Sequence, residues 1–184
     1  MYYVMTCEGI VPRTAIDESP DVPGSPWNDG QPIVDAVEVP LVYTLDPDYP
    51  GAMIPMYDIA EPLIRDDLLE ALGAAGVDNL QTFPALILDP VTGERHANYK
   101  AVNIIGVISA ADMAHSVPMN VSSSTMIDVG FDSLVLDEAK PGGALMFRLA
   151  ESVNAIIVHE RVKGTIEDRG IPGMTFYDSG EWAG

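Results

Sequence analysis

Proline placement restricts what the first third of this chain can fold into. Ten of the fifteen prolines lie between residues 12 and 62. Because proline removes a backbone donor and clashes with the preceding turn of a helix, this stretch cannot form a long helix. It predicts loops and short extended pieces instead, with one strand over residues 37–44 that Pro40 confines to a sheet edge.

After residue 60 the apolar residues follow helix and strand periods. Apolar positions three and four residues apart predict a helix over residues 62–75, with Gly76 as its C-terminal stop. A second helix is predicted over 160–169, with Val162 and Ile166 facing inward. Short apolar runs predict strands over residues 83–88, 101–109, 131–136, 145–149, 155–158 and 174–177. The first two strands are expected to form a hairpin through a long polar connection at 94–100.

These elements define the expected fold class. Strands outnumber helices and do not alternate with them regularly, which favours an α+β fold over a doubly wound sheet. With 184 residues, of which 47% are hydrophobic, the chain suits a single domain with a buried core. We therefore predict one α+β domain, mainly antiparallel sheet with two or three helices. Its Pro-rich, loop-dominated N-terminal third is an acidic region, residues 1–60, packed on a main domain of residues 61–184.

The charge balance limits the partners. The chain has 28 acids and 9 Lys or Arg residues, a formal net charge of −19. Binding to nucleic acid or to an anionic membrane requires basic patches, so neither is expected. A basic protein partner is favoured instead, since a strongly acidic field steers cations toward the surface.

The acids are concentrated toward the N-terminus. Residues 14–64 contain no Lys or Arg but ten acids. If these carboxylates share one face, a cationic partner would relieve their mutual repulsion and associate faster. Trp27 lies among them and is a candidate interface anchor, although it equally suits a role in pinning its loop to the core. The candidate contact residues are Asp17, Glu18, Asp21, Trp27, Asp29, Asp35, Glu38, Asp46 and Asp48.

Signals for cofactors, metals and export are missing from the sequence. The single cysteine, Cys7, excludes an intrachain disulfide and is expected to be buried and inert. His96, His115 and His159 have no second His or Cys at metal-ligand spacing, so no metal or other cofactor is predicted. The N-terminus lacks the pattern of a signal peptide, which favours the cytoplasm.

Two other functional classes stay open at this point. The least implausible catalytic set is His159, Glu160 and Glu151, and that enzyme hypothesis fails if these side chains lie far apart. The Ser-rich run at 122–125 lacks a nucleophile elbow and is expected to be a polar loop. The remaining alternative is a homo-oligomeric structural protein that pairs through exposed apolar strands.

Nine segments taken together resemble a known family. They are residues 68–72 (LLEAL), 75–80 (AGVDNL), 83–85 (FPA), 99–106 (YKAVNIIG), 131–137 (FDSLVLD), 145–151 (LMFRLAE), 156–158 (IIV), 161–162 (RV) and 173–176 (GMTF). This order resembles an immunity-protein family of bacterial polymorphic toxin systems, of the myxobacterial type paired with AHH-type nuclease toxins. The resemblance spans about residues 60–178 and consists mainly of strand and core patterns.

The resemblance implies a non-enzymatic protein that binds a cognate toxin in the cytoplasm and blocks it stoichiometrically. It brings no catalytic set and fixes no toxin-contacting residues. The candidate contacts therefore come from the charge pattern, and the expected partner is a basic nuclease domain.

Overall fold

The computed structural model describes residues 1–22, 27–119 and 129–184. Its strands are β1 (Tyr2–Thr6), β2 (Ile16–Glu18), β3 (Leu41–Leu45), β4 (Met56–Tyr57), β5 (Leu63–Arg65), β6 (Leu80–Leu88), β7 (Arg95–Ile104), β8 (Val107–Ile108), β9 (Val117–Pro118), β10 (Phe131–Ser133), β11 (Met146–Leu149), β12 (Ile156–His159) and β13 (Thr175–Tyr177). Helices α1 (Asp66–Ala75) and α2 (Glu160–Asp168) complete the described elements. The α+β prediction is confirmed, because the sheets are mostly antiparallel and two helices pack with them.

Two sheets organise the molecule. A six-stranded sheet has the order β2-β3-β6-β7-β5-β4, and a five-stranded sheet has the order β13-β1-β12-β11-β8. The pairs β3–β6 and β8–β11 are parallel, and the others are antiparallel. The six-stranded sheet curls, since the chain just before β2 meets the chain just before β4 at a bridge between Arg13 and Ala52. Its two end strands therefore face one another across a seam.

The apolar core lies on both faces of the five-stranded sheet. The larger cluster joins one face to α1, α2 and the six-stranded sheet, through residues such as Met5, Leu68 and Val162. The smaller cluster covers the other face with residues such as Phe131 and Trp182. Side chains alternate between the two clusters along β1 and β12, as a strand buried on both faces requires.

The first 60 residues contribute to both sheets. β1 lies inside the five-stranded sheet, between β12 and β13, and β3 pairs with β6 along four residue pairs. The strand predicted at 37–44 starts at Leu41, directly after Pro40. It is not an edge strand, because β2 covers its other side. Pro40 thus precedes the ladder and interrupts no hydrogen bond in it.

Several predicted boundaries change. Residues 63–65 form a strand rather than the first helical turn, so α1 begins at Asp66, and Gly76 ends it at φ 95° as predicted. The predicted hairpin is present as β6 and β7, but its connection is residues 89–94, and all of the predicted polar connection 94–100 except Glu94 belongs to β7. The apolar pattern missed this part of β7 because residues 95–98 are exposed or half-buried and largely polar. Residues 120–128, which include the Ser-rich run, lie outside the described residues.

Candidate functional site

Seven of the eight candidate carboxylates gather along one border of the six-stranded sheet. Asp17 and Glu18 lie on β2, and Ile16 and Glu18 pair with Leu45 and Thr44 of β3. Thr44 Oγ1 donates to Glu18 Oε2 at 3.4 Å. This pairing sets the turn after β3 beside the start of β2. We call this set the acidic border: Asp17, Glu18, Asp21, Asp35, Glu38, Asp46 and Asp48.

The turn after β3 is held in place by hydrogen bonds. Asp46 donates its backbone N–H to the carbonyl of Ala15 at 3.0 Å, and Asp46 Oδ1 accepts from the N–H of Asp48 at 2.8 Å. The border then follows β3 from Asp46 back to Leu41, a length of about 16 Å at the rise of a strand. A partner would therefore meet a row of carboxylates and not a single acidic point.

A groove of about 490 Å³ continues the acidic border at the start of β3. Asp21, Asp35 and Glu38 are among the residues that line it. The other lining residues are apolar, namely Pro20, Val22, Ala36, Val37, Val39, Pro40, Leu41 and Val42. We call it the apolar groove. None of the described residues that line it is basic, so the three carboxylates set the charge of this lining.

The ion pairs found among described Lys and Arg residues use acids outside the acidic border. Arg65 contacts Asp67 at 2.7 Å, and Lys100 contacts Asp66 at 2.8 Å. Residues of the acidic border take part in none of the ion pairs found among described residues. Most border side chains are exposed, with Asp46 partly covered. Their charges are thus available to an incoming partner.

Two candidate contacts lie away from this border. Asp29 is in the turn at residues 27–30, where Gly30 accepts a hydrogen bond from Gly106 near the five-stranded sheet. Trp27 is only 7% exposed, and its ring meets that of Phe83 edge to face with centroids 5.4 Å apart. The structure therefore shows Trp27 pinning its loop to the core. This burial replaces the hypothesis of an exposed anchor.

The predicted catalytic set is not assembled. His159 Nδ1 accepts from the N–H of Arg161 at 3.2 Å and so caps α2. Glu160 Oε1 lies 3.8 Å from the N-terminal amine. Glu151 is at the other end of β11, where it accepts hydrogen bonds from Ser109 Oγ and from the N–H of Ala111. His159 is beside Leu145, before β11, whereas Glu151 follows the far end of this strand, which lies about 13 Å from Leu145 at strand spacing, so the three groups share no site.

The other two histidines sit in surface contacts. His115 Nδ1 lies 2.7 Å from Asp112 Oδ2, and His96 Nε2 lies 3.8 Å from Glu94. In the described ranges, no group of three or more His, Cys, Asp or Glu side chains is placed to hold a metal ion. Nor does any helix there have the length and apolar character needed to cross a membrane.

A second cavity, of about 330 Å³, fills the seam between β2 and β4. Two of its lining residues are hydrogen-bonded to each other, with Tyr57 Oη 2.5 Å from Thr14 Oγ1. Arg13 also lines it and donates to the carbonyl of Cys7. Burial raises the pKa of the Cys7 thiol, against the smaller opposing attraction of Arg13. The thiol is therefore buried and protonated, as the sequence predicts for an inert cysteine.

Arg148 is a buried cation that the sequence analysis did not single out. It sits on β11 with 1% of its surface exposed, and its Nη1 donates to the carbonyl of Val153 at 2.6 Å. Its Nε and Nη2 find no hydrogen-bond partner within residues 1–22, 27–119 and 129–184. Burial lowers the pKa of this guanidinium, and the charge of Asp58 opposes the shift. The signal available in the sequence was an arginine inside an apolar strand, which is rare without a partner.

Apolar exposure gives little support to pairing through exposed strands. The large exposed apolar side chains are mainly in loops, with Val42 on β3 and Val117 on β9 as the strand positions.

Comparison with known families finds no family model that matches this chain. No curated protein matches its sequence either.

Proposed function

We propose that this protein neutralises a cationic protein toxin by covering the toxin's substrate cleft with the acidic border. The observation that carries the proposal is the row of exposed carboxylates in a stretch of 51 residues, 14–64, without Lys or Arg. The resemblance of residues 60–178 to immunity proteins supports a toxin as the target. The toxin class that best fits the charge is a nuclease.

Nuclease clefts bind phosphate and are therefore lined with cations. A row of carboxylates can occupy such a cleft in place of the nucleic-acid backbone. Charge pairs between a nuclease and an acidic protein inhibitor can couple by about 1.5–7 kcal/mol, the range measured for barnase and barstar. The same field accelerates encounter, by about 10-fold to 1,000-fold at low salt. Inhibition in this mechanism is stoichiometric and needs no catalytic group.

The test uses the product of the neighbouring gene, which this proposal requires to contain a basic toxin domain, prepared as an inactive variant. We expect a one-to-one complex and loss of nuclease activity when this protein is added to the active toxin. Changing the seven border acids to Asn or Gln should slow association by about tenfold or more at low ionic strength, with a smaller effect on dissociation.

The control removes charge elsewhere on the surface. Four exposed acids lie outside the border: Asp132, Asp168, Asp178 and Glu181. A variant in which these four are changed to amides should associate with the toxin faster than the border variant does. Equal association rates for the border variant and wild type would overturn the steering role of the border. Failure of the wild type to bind or inhibit the toxin would overturn the proposed function itself.

A further inference from the structure

The apolar groove differs in kind from the rest of the acidic border. Its lining combines the branched apolar side chains of Val37, Val39 and Val42 with the carboxylates of Asp21 and Asp35, while Leu41 turns its own side chain into the core. Val39 is 46% exposed and Val42 is 42% exposed. Exposed apolar side chains next to charged ones are typical of a protein interface, which has an apolar centre and a polar rim.

Its size suits one inserted segment and not a broad flat contact. A volume of about 490 Å³ is within the range of pockets that enclose a ligand or an anchoring side chain. The supporting wall is firm, because Leu41 and Val42 pair with Ala85 and Leu86 in the parallel β3–β6 ladder. The groove therefore needs little reorganisation before a partner binds.

Charge complementarity selects the occupant. The described lining offers no Lys or Arg to its three carboxylates, so an acidic or purely apolar segment would leave their charges uncompensated. We propose that the apolar groove receives an extended segment of the toxin in which one apolar or aromatic side chain is flanked by Lys or Arg. This rests on the proposed function, since it takes the toxin as the partner.

The proposal divides the acidic border into two roles. Asp17, Glu18, Asp46 and Asp48 lie along β2 and the turn after β3, outside the groove, and act on encounter. The groove binds the apolar side chain of the toxin segment and sets the dissociation rate of the complex, because buried anchor side chains contribute most to slow dissociation.

The first experiment measures dissociation of the inactive toxin from the full chain. The test variant is Val39→Thr with Val42→Thr, which keeps the branched shape while adding a hydroxyl to each apolar contact. The matched control is Val11→Thr with Val91→Thr, at valines that are 86% and 71% exposed and do not line the groove. We expect dissociation about tenfold faster for the test variant, with association nearly unchanged, and no change for the control. Thermal unfolding of both variants checks that folding is preserved.

The second experiment replaces the toxin with a defined probe. A peptide of about nine residues that alternates lysine and leucine would span the border. Its control peptide carries glutamine in place of lysine. Titration into the labelled full chain should give saturable NMR shifts at Val39, Leu41 and Val42 with the lysine peptide only.

The outcomes separate this proposal from the proposed function. Toxin binding with wild-type dissociation in Val39→Thr/Val42→Thr would overturn the groove and leave the inhibitor function standing. Groove shifts with the lysine peptide but no toxin binding would support the groove's chemistry and overturn the function. Peptide shifts elsewhere would overturn the groove. So would a dimer of this chain that the test variant disrupts, because it would assign the groove to a second copy.

Discussion

Glu61 places a carboxyl inside the curled six-stranded sheet. It is 6% exposed and lies beside the hydroxyl of Tyr43, a residue with no exposed surface. Among the described residues, neither Tyr43 Oη nor Glu61 Oε1 makes a hydrogen bond of good geometry, although the hydroxyl of Tyr43 is close enough to act electrostatically on the Glu61 carboxyl. Burial raises the pKa of Glu61 above its ordinary value of 4.5, against the weaker effect of nearby hydrogen-bond donors. Its ionised form is therefore destabilised in the folded state.

The sign of this shift gives a pH-dependent prediction. Because the folded-state pKa is raised, Glu61 supports folding fully below 4.5 and loses that contribution as pH rises through the folded-state pKa. Glu61→Gln removes the titration and keeps the shape. We expect the free energy of unfolding of the variant, relative to wild type, to increase from pH 4.5 toward neutrality. Urea unfolding across this range measures it, and a constant difference would contradict the assignment. Exposed Glu181→Gln is the control.

At the scale of elements, two glycines, Gly73 within α1 and Gly76 at its C-terminal end, should affect stability differently when replaced because of their positions. Gly73 is within the helix and a Cβ there would meet no atom within 4 Å. Gly76 ends the helix at φ 95°, and its N–H donates to the carbonyl of Gly73 at 2.9 Å. Side chains rarely adopt that left-handed conformation, whereas a helix interior favours alanine over glycine.

Alanine at these two positions should therefore have opposite effects. We expect Gly76→Ala to lower the free energy of unfolding by about 1–2 kcal/mol. Gly73→Ala should raise it by about 0.5–1 kcal/mol. Chemical denaturation of the two variants against wild type provides the measurement. The same sign at both positions would show that the helix does not end where the structure ends it.

At the scale of the molecule, net charge opposes compactness. With a net charge of −19 and ten acids in a base-free stretch, the folded chain concentrates like charges that unfolding would separate. Salt screens exposed charges over about 10 Å at 0.1 M ionic strength, which is less than the length of the acidic border.

Added salt should consequently stabilise the protein. We expect the thermal midpoint to rise between low and physiological NaCl, and to rise less in the variant whose seven border acids are amides. Differential scanning calorimetry at several NaCl concentrations checks this. A midpoint that falls with salt would mean that favourable ion pairs, such as Lys100 with Asp66, outweigh the repulsion.

The sequence by itself determined the elements whose signals are local. The periodic apolar stripe predicted most of α1 and its stop at Gly76, and Val162 and Ile166 marked the buried face of α2. The strand run at 155–158 also matched β12, because a strand buried on both faces is a short continuous apolar run. These features depend on neighbours a few residues apart, which a sequence displays directly.

The tertiary structure decided which distant residues meet. It placed β1 inside the five-stranded sheet, moved Trp27 into the core, and separated His159 from Glu151. It also brought Asp21 and Glu38 to one groove and buried Arg148. Pairing across more than a hundred residues, as between β1 and β12, has no local sequence signature. Burial of a residue depends on which distant segments pack against it. Composition therefore revealed the excess of acids, whereas only the tertiary structure showed where their carboxylates lie on the surface.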